Sequence, residues 1–525
     1  MPMKDFSKGY KFVTEGSVTI PYPESNEVFY NKVQVKNRDL SILMITLFGE
    51  LQKRELEELK EKKPKRYEGM MAERKRVAEE EGKPYLAEDG LYIFEALAAS
   101  GLRSIRYWKE IPNIRRLIIN DIADAAVESM KDNLQYNGVT SDRVVPNQAD
   151  ATMVMYQNRN PAYNRFDVID LDPYGSCSIF LDGAVQSIRD GGLLCVTSTD
   201  LTVLCGNHPE VVFSKYGSNC PKTPFCHELA VRIVLYTIMM AAAKYGRSME
   251  VLAAFQIDFY VRVFVRMCHD SKTAIKQCSS QSSLLYYCND CHNYQLQKLG
   301  RTHKDKPAKF HPPNCEVNSH CPICGCQYRL GGPLYNGSLH DEAFVGAAIE
   351  RLRKLYVEKD AALVATSTFK CTTHEILLGM LTAMQEELPQ PLYFSFHGMT
   401  SFLKMTAPKY VEIVSALRRA GYHTSQCHCD PLALKTDAPG DVVFDVFRAY
   451  FREKQLPQDE KWEARQPEGF VKRFLLEPAT GKYDFTVLEE LKDKEYEFAR
   501  FPGNPEANWG PKARGSLKRS NVESN

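Results

Sequence analysis

The chain has 525 residues, of which 44% are hydrophobic and 25% charged, and that composition excludes a wholly disordered, collagen-like or fibrous protein. At about 150 residues per domain, it makes roughly two to four domains. With 67 basic and 66 acidic residues the net charge is +1, so any nucleic-acid surface must be a local patch.

In chain order, residues 1–50 read as an N-terminal segment. It holds short β-like pieces (Ser17 to Ile20, Glu27 to Tyr30) and then Asn37-Arg38-Asp39-Leu40-Ser41, where Asp39 or Ser41 is expected to cap a helix through Leu47. Met1 to Lys11 lacks the apolar core of a secretory signal. Residues 51–88 are nearly all charged or polar with mixed sign and predict a solvated helical insertion. Its run Lys62-Lys63-Pro64-Lys65-Arg66 reads as a nuclear address or a phosphate contact.

Residues 89–270 alternate apolar runs with amphipathic ones. Strands are expected at Tyr92–Glu95, Arg116–Asn120, Val144–Asn147, Phe166–Leu171 and Leu193–Thr197, with helices such as Ala123–Tyr136 and Phe180–Arg189 between them. That rhythm predicts a parallel α/β sheet covered on both faces. Val251–Ile257 and Tyr260–Met267 flank Asp258-Phe259 and read as an antiparallel hairpin at its edge. The longest apolar run, Ile233–Ala243, stops short of the roughly 18 residues of a membrane helix, so no membrane partner is expected.

Residues 271–345 carry a cysteine cluster, and residues 346–480 form a second, smaller α+β domain. Its clearest helix is expected to begin at Pro408, to show an apolar stripe of Val411, Val414 and Leu417, and to end at Gly421. Residues 481–525 make a tail whose last part, rich in Gly, Pro, Asn and Lys, predicts little structure.

In a doubly wound sheet, ligands bind beyond the carboxyl ends of the strands. The first strand ends at Glu95 and opens into Ala96-Leu97-Ala98-Ala99-Ser100-Gly101, small residues that let a ligand approach the backbone. The second strand ends in Asp121, placed to accept hydrogen bonds from ribose hydroxyls, and the third is followed by Asp150-Ala151, placed to meet an adenine edge. The loop has one glycine and no basic cradle for a pyrophosphate, so a nucleoside cofactor without phosphates, such as S-adenosylmethionine, fits better than NAD or ATP. Taken alone, Asp121 reads as a helix cap rather than a ligand, and the ordered trio of Glu95, Asp121 and Asp150 turns the reading toward a ligand.

The fourth strand opens into Asp172-Pro173-Tyr174-Gly175. The amino group of a nucleobase is a poor nucleophile because its lone pair is delocalised into the ring. A carboxylate at Asp172, aided by the carbonyl of Pro173, holds the N–H and favours the pyramidal nitrogen of the transition state. Tyr174 offers a face on which an extruded base stacks. Further on, Cys288-x-x-Cys291 and Cys321-x-x-Cys324 supply four thiolates for a structural zinc, with Cys326 as the competitor of Cys324. Cys315, His292 and His320 lie close by in sequence.

These motifs resemble those of the tRNA guanine-26 N2-dimethyltransferase family. Asp172-Pro173-Tyr174-Gly175 is similar to its catalytic motif, and Ala98 to Arg106 to its cofactor loop. Val28-Phe29-Tyr30-Asn31, Asn37 to Ser41, and Lys435-Thr436-Asp437-Ala438-Pro439 also match, so the likeness runs from about residue 14 to 440. It implies a class I (Rossmann-like) methyltransferase fold, S-adenosylmethionine as donor, and transfer to the exocyclic amine of a guanine in tRNA. By resemblance, Arg38, Arg103, Asp121, Asp150 and Ala151 bind the cofactor, Asp172 is the catalytic acceptor, and Phe29 and Tyr174 line the target base. Arg38 also reads as a cation for the methionyl carboxylate, or as a surface ion pair. For tRNA phosphates the candidates are Lys404, Lys409, Arg418, Arg419 and Lys435, with Arg301, Lys304, Lys306 and Lys309 beside the cysteines. No obligate protein partner is expected, and the expected location is the nucleus, with a mitochondrial or cytoplasmic pool. Two rival readings are a DNA or RNA adenine or cytosine amino-methyltransferase and a non-catalytic zinc-dependent RNA-binding protein.

Overall fold

The computed structural model describes residues 6, 9–23, 30–80, 90–160, 164–302, 310–459, 461–492 and 496–503. The chain forms two units, residues 1–154 with 359–374 and 503–525, and residues 155–358 with 375–502.

The first unit opens on a hairpin. Strands β1 (Tyr10–Glu15) and β2 (Val18–Pro23) pair antiparallel from Tyr10↔Pro23 to Glu15↔Val18. Of the expected strand Glu27–Tyr30, only Tyr30 lies among the described residues, and it is not in a strand. Asn31 caps a short helical turn by accepting the Val33 N–H, and the turn runs into helix α1 (Val35–Lys62). Asn37 to Ser41 therefore lie inside α1, and neither Asp39 nor Ser41 caps it. Both are fully buried, because the first half of α1, through Phe48, is packed on all sides. The charged half then emerges into solvent and is followed by α2 (Pro64–Glu80), as mixed-sign helical sequence should be. Residues 81–88 of that stretch lie outside the described ones.

Next come β3 (Leu91–Glu95), α3 (Leu102–Glu110), β4 (Ile114–Asp121), α4 (Asp124–Tyr136), β5 (Val144–Gln148) and α5 (Ala151–Gln157). The strands pair parallel in the order β5-β4-β3, in registers that include Glu95↔Ile119 and Asp121↔Gln148. Ile93, Phe94, Leu117 and Ile119 are almost fully covered, as strands with helices on their faces require.

The second unit continues with β6 (Phe166–Leu171), α6 (Leu181–Ser187), β7 (Ile188–Ser198), α7 (Pro209–Tyr216), α8 (Cys226–Ala243), β8 (Ser248–Ile257) and β9 (Tyr260–Cys268). Here β6 and β7 are parallel, β9 pairs antiparallel with β7, and β8 pairs antiparallel with β9. The expected edge hairpin is present, turned by Asp258 at φ 48°. A buried ion pair crosses this layer, with Arg262 of β9 donating to both oxygens of Asp170 in β6 at 2.8 and 2.9 Å. Helix α8 starts seven residues before the apolar run seen in the sequence. Its 18 residues are long and apolar enough to cross a membrane by composition, but 67% of them are buried inside the protein, the state of a core helix.

After β9, strands Ser282–Tyr287, Tyr294–Lys298 and Arg329–Tyr335 form one antiparallel sheet. A second antiparallel sheet takes Phe394–Ser395, Asp430–Thr436 and Thr424–Cys427, with Asp430–Thr436 in the middle. Helices Tyr410–Arg419 and Gly440–Tyr450 bury Val414, Leu417, Phe444 and Phe447 in a common core with Phe396. The first of these begins at Tyr410 rather than Pro408, and Gly421 ends it at φ 91° as expected.

Candidate active site

Three strand ends in the first unit are stitched together by side chains. Asn120, next to last in β4, donates to the carbonyls of Ala96 and Ala149 at 3.0 Å each and accepts from Asn147 of β5 at 2.6 Å. Asp121 accepts the N–H of Ala99 at 2.9 Å and that of Ala123 at 3.0 Å. It thus anchors the β3–α3 loop and the segment leading into α4 together, but it does not cap α4, whose cap position is Ala123 with no side-chain bond. A carboxylate has further lone pairs beyond these two bonds for hydroxyl donors. The loop turns through Ala99 at φ 48° and Gly101 at φ 73°. A Cβ on Gly101 would stand 3.0 Å from Met130 Cγ, so this glycine is required both by its dihedral and by close packing on α4.

The other sequence candidates differ in exposure. Asp150 is exposed and caps α5 by accepting the N–H groups of Thr152 at 2.7 Å and Met153 at 3.2 Å, with Ala151 buried beside it. Glu95 is buried, accepts from the Ser104 hydroxyl, and faces Arg103 Nε at 3.6 Å. Arg103 also donates to Ser41 Oγ at 3.2 Å, which ties the start of α3 to α1.

Arg38 is not a surface ion pair. It is 8% exposed and donates in fork geometry to Glu15 at 2.6 and 2.5 Å. Glu15 in turn accepts from Arg106 at 2.8 Å, and Arg106 reaches Asp39 at 2.7 Å and Glu110 at 2.9 Å. Burial alone would raise the Glu15 carboxyl, but Arg38 and Arg106 outweigh it and hold the acid below its usual range. Asp39 accepts from the backbone N–H and the hydroxyl of both Thr372 and Thr373, which seats a distant segment of the same unit on α1. Sequence reading found Arg38 and missed Glu15, Arg106 and Glu110.

In the second unit, Asp172 follows the fully buried β6 and is half-buried. Pro173 is buried, whereas Tyr174 is 71% exposed, so its ring is presented rather than packed. Gly175 at φ 91° closes the turn. Its N–H donates to Thr199 Oγ1 at 2.7 Å, and its carbonyl accepts the Thr199 N–H at 3.0 Å. The turn is thereby clipped to the end of β7. Behind it, Tyr216 of α7 donates to Asp200 at 2.8 Å and meets Ser198 Oγ at 2.8 Å. Ser198, Thr199, Asp200 and Tyr216 were missed by sequence reading, although a polar triplet at the end of an apolar strand was a usable signal. Phe29 lies outside the described residues.

Cys288, Cys291, Cys321 and Cys324 converge, all four Sγ atoms lying within 4.8 Å of one another. Opposed pairs stand at 3.4 Å (Cys288–Cys324) and 3.5 Å (Cys291–Cys321), separations suited to the donors of a single tetrahedral ion. Each pair sits on a tight turn, one closed by His292 N–H to the Cys288 carbonyl and the other by Gly325 N–H to the Cys321 carbonyl. Cys326 is outside the group. His292 is held by Tyr287 at 2.6 Å, and His320 and Cys315 are exposed.

One phosphate candidate is corrected outright. Lys435 is fully buried, its ammonium 3.0 Å from Glu228 and 2.5 Å from Glu387, so it cannot reach RNA. The central position of Asp430–Thr436 in its sheet puts Lys435 in the core, where it neutralises two acids. Arg418 pairs with Glu490 at 2.7 Å and Arg419 with Asp484 at 3.3 Å, both near the surface. Lys404, Lys409 and Arg301 are exposed, and Lys304, Lys306 and Lys309 lie outside the described residues.

Comparison with known proteins is consistent with this picture. The profile of the N2,N2-dimethylguanosine tRNA methyltransferase family matches residues 9–448. A Schizosaccharomyces pombe protein named tRNA (guanine(26)-N(2))-dimethyltransferase is 38% identical over 96% of this chain and 92% of its own length. A human protein of the same name is 37% identical over 96% of this chain and 77% of its own length. The solved structure of Trm1 from Pyrococcus horikoshii with S-adenosyl-L-methionine is similar with a TM-score of 0.63 and 26% identity, over 83% of this chain and 99% of that one. The fold is thus that of a Rossmann-like methyltransferase with a further C-terminal domain, and the chain belongs to the N2,N2-dimethylguanosine tRNA methyltransferase family.

Proposed function

We propose that this chain transfers methyl groups from S-adenosylmethionine to the N2 amine of guanine 26 in tRNA, first one and then a second. The observation that carries the reading is the Asp172–Gly175 turn, with its exposed tyrosine and half-buried acid, in a chain of this family. Residues 89–270 act as the methyltransferase core, 271–345 as the metal-binding region, and 346–480 as the tRNA-gripping domain, with 1–50 serving cofactor and substrate.

When bound, S-adenosylmethionine supplies a methyl group carried on a positively charged sulfur. The small-residue loop leaves backbone exposed to a nucleoside, which suits this cofactor. Asp121 takes the ribose hydroxyls with the lone pairs left by its two backbone bonds. Asp150 and Ala151 meet the adenine. Arg103 and Arg38 hold the amino-acid carboxylate, with Glu15 keeping the Arg38 fork in place.

Asp172 accepts an N–H of the guanine amine and so favours the pyramidal nitrogen that attacks. The Pro173 carbonyl is a second acceptor. Tyr174 stacks on the base once it has left its stem, worth about 1–3 kcal/mol, and Phe29 forms another wall. No covalent enzyme intermediate is needed. Lys404, Lys409 and Arg301 contact phosphates. The four cysteines hold a structural zinc, because all donors come from protein and no position is left for substrate. We place the enzyme in the nucleus, with Lys62–Arg66 exposed on the α1–α2 corner as its address, and with an organellar pool. A related Saccharomyces cerevisiae protein, 35% identical, is named as mitochondrial.

The test is nucleoside mass spectrometry of tRNA incubated with protein and cofactor. Dimethylguanosine should form on a transcript with guanine at position 26 and vanish when that base is adenine. Methylation independent of that base would overturn the assignment.

A further inference from the structure

Among the described residues, three further groups of soft or acidic side chains lie in the second unit, and two of them are already satisfied. Glu228, Glu387 and Cys427 form one group, but the Lys435 ammonium stands between the two acids. Cys427, His428 and Cys429 form another. Both ring nitrogens of His428 are engaged there, Nδ1 by Glu387 at 2.7 Å and Nε2 by the Gln256 N–H at 3.1 Å.

The third group is Cys205, Cys226 and His227, whose donor atoms all lie within 4.8 Å of one another. All three residues are half-exposed, so solvent and ions reach them. The two sulfurs are close enough to share one ion. Cys226 and His227 form the first turn of α8, and Cys205 lies in the bent turn Val203–Asn207 that follows Thr199 and Asp200. This turn is braced on both sides. The N–H groups of Val203 and Leu204 bond the Asp200 carbonyl at 2.9 and 3.0 Å, and Cys220 Sγ donates to the Leu204 carbonyl at 3.0 Å. Two elements distant in sequence thus present two sulfurs and an imidazole to one point.

From this geometry we infer that Cys205, Cys226 and His227 form a second metal site that takes a thiophilic divalent cation such as Zn2+. Two thiolates and one imidazole are a zinc donor set, and the half-exposed face leaves the fourth position to water. A cation there displaces the protons of both thiols to solvent and fastens the segment after β7 to the start of α8. Because that segment includes Thr199, which clips the Asp172–Gly175 turn, the ion braces the catalytic turn from behind. A disulfide between Cys205 and Cys226 would use the same sulfurs but would leave the convergence of His227 without a purpose.

Metal content of the purified full chain tests this separately from the four-cysteine site. Elemental analysis should find two zinc equivalents per chain, falling to one in Cys226→Ser and in His227→Ala, with circular dichroism unchanged. Cys291→Ser should lose the other equivalent, and its failure to do so would count against the structural zinc alone. Replacing zinc by cobalt(II) in Cys291→Ser should leave thiolate-to-cobalt absorption that His227→Ala weakens. One equivalent in the unmutated chain, lost only in Cys291→Ser, would overturn the second site. So would a Cys205–Cys226 disulfide found by peptide mapping under reducing purification.

Discussion

The loop after β3 and the turn after β6 both end a buried strand, yet they are built in opposite ways. The first rests on buried charge. Arg103, Arg106, Glu95 and Glu110 are each under 9% exposed, and their partners Glu15, Arg38 and Asp39 come from other elements. The second rests on two hydrogen bonds exchanged between Gly175 and Thr199, with Tyr174 exposed and Asp172 half-buried. The proposed cofactor role and stability are therefore entangled in the first region, whereas the proposed chemistry and stability are separable in the second.

The sharpest way to expose that difference is Asp172→Ala. It should lower methyl transfer by about 10²–10⁴-fold, while thermal stability and cofactor affinity stay near wild type. Arg106→Met should do the reverse. It leaves Glu15, Asp39 and Glu110 buried without their shared cation, which costs about 3–5 kcal/mol and should appear as a lowered denaturation midpoint. Equal destabilisation by the two substitutions would erase the contrast. Tyr174→Ala should raise the tRNA KM by roughly 5- to 150-fold, equivalent to about 1–3 kcal/mol of stacking, with little change in folding. Thr199→Val removes the acceptor of the Gly175 N–H and should reduce kcat by about tenfold, the value of roughly 1.4 kcal/mol, with cofactor affinity kept.

The smallest effect concerns pH. Burial alone would raise the Glu15 carboxyl, but Arg38 and Arg106 outweigh it and hold the group below its usual range. A carboxyl lowered below its unfolded value of roughly 4.3 stabilises fully above that pH and loses the contribution as pH falls through its folded value. Urea midpoints should therefore fall between neutral and acidic pH, and Glu15→Gln should flatten part of that fall.

Much of the fold was legible in the sequence because strand identity is a local property. The apolar runs that became β3 to β9 carry their own signal, and so do the paired cysteines. What was misread depends on partners far away in the chain. Asp39 looks like a helix cap until Arg106 and Thr373 are seen to surround it. Lys435 looks like a phosphate contact until two acids, at positions 228 and 387, are found beside it. Thr199 carries no motif of its own, and its role exists only through Gly175, 24 positions earlier.

Single-turnover transfer to guanine-26 tRNA by Asp172→Asn, with cofactor affinity measured by calorimetry on the same sample, bears most directly on the acceptor role of that carboxylate. The amide keeps the size of the side chain and removes its charge. Transfer should fall by at least about a hundredfold while the cofactor Kd stays within a few-fold. Transfer near the wild-type rate, or a loss of cofactor binding equal to the loss of rate, would contradict it.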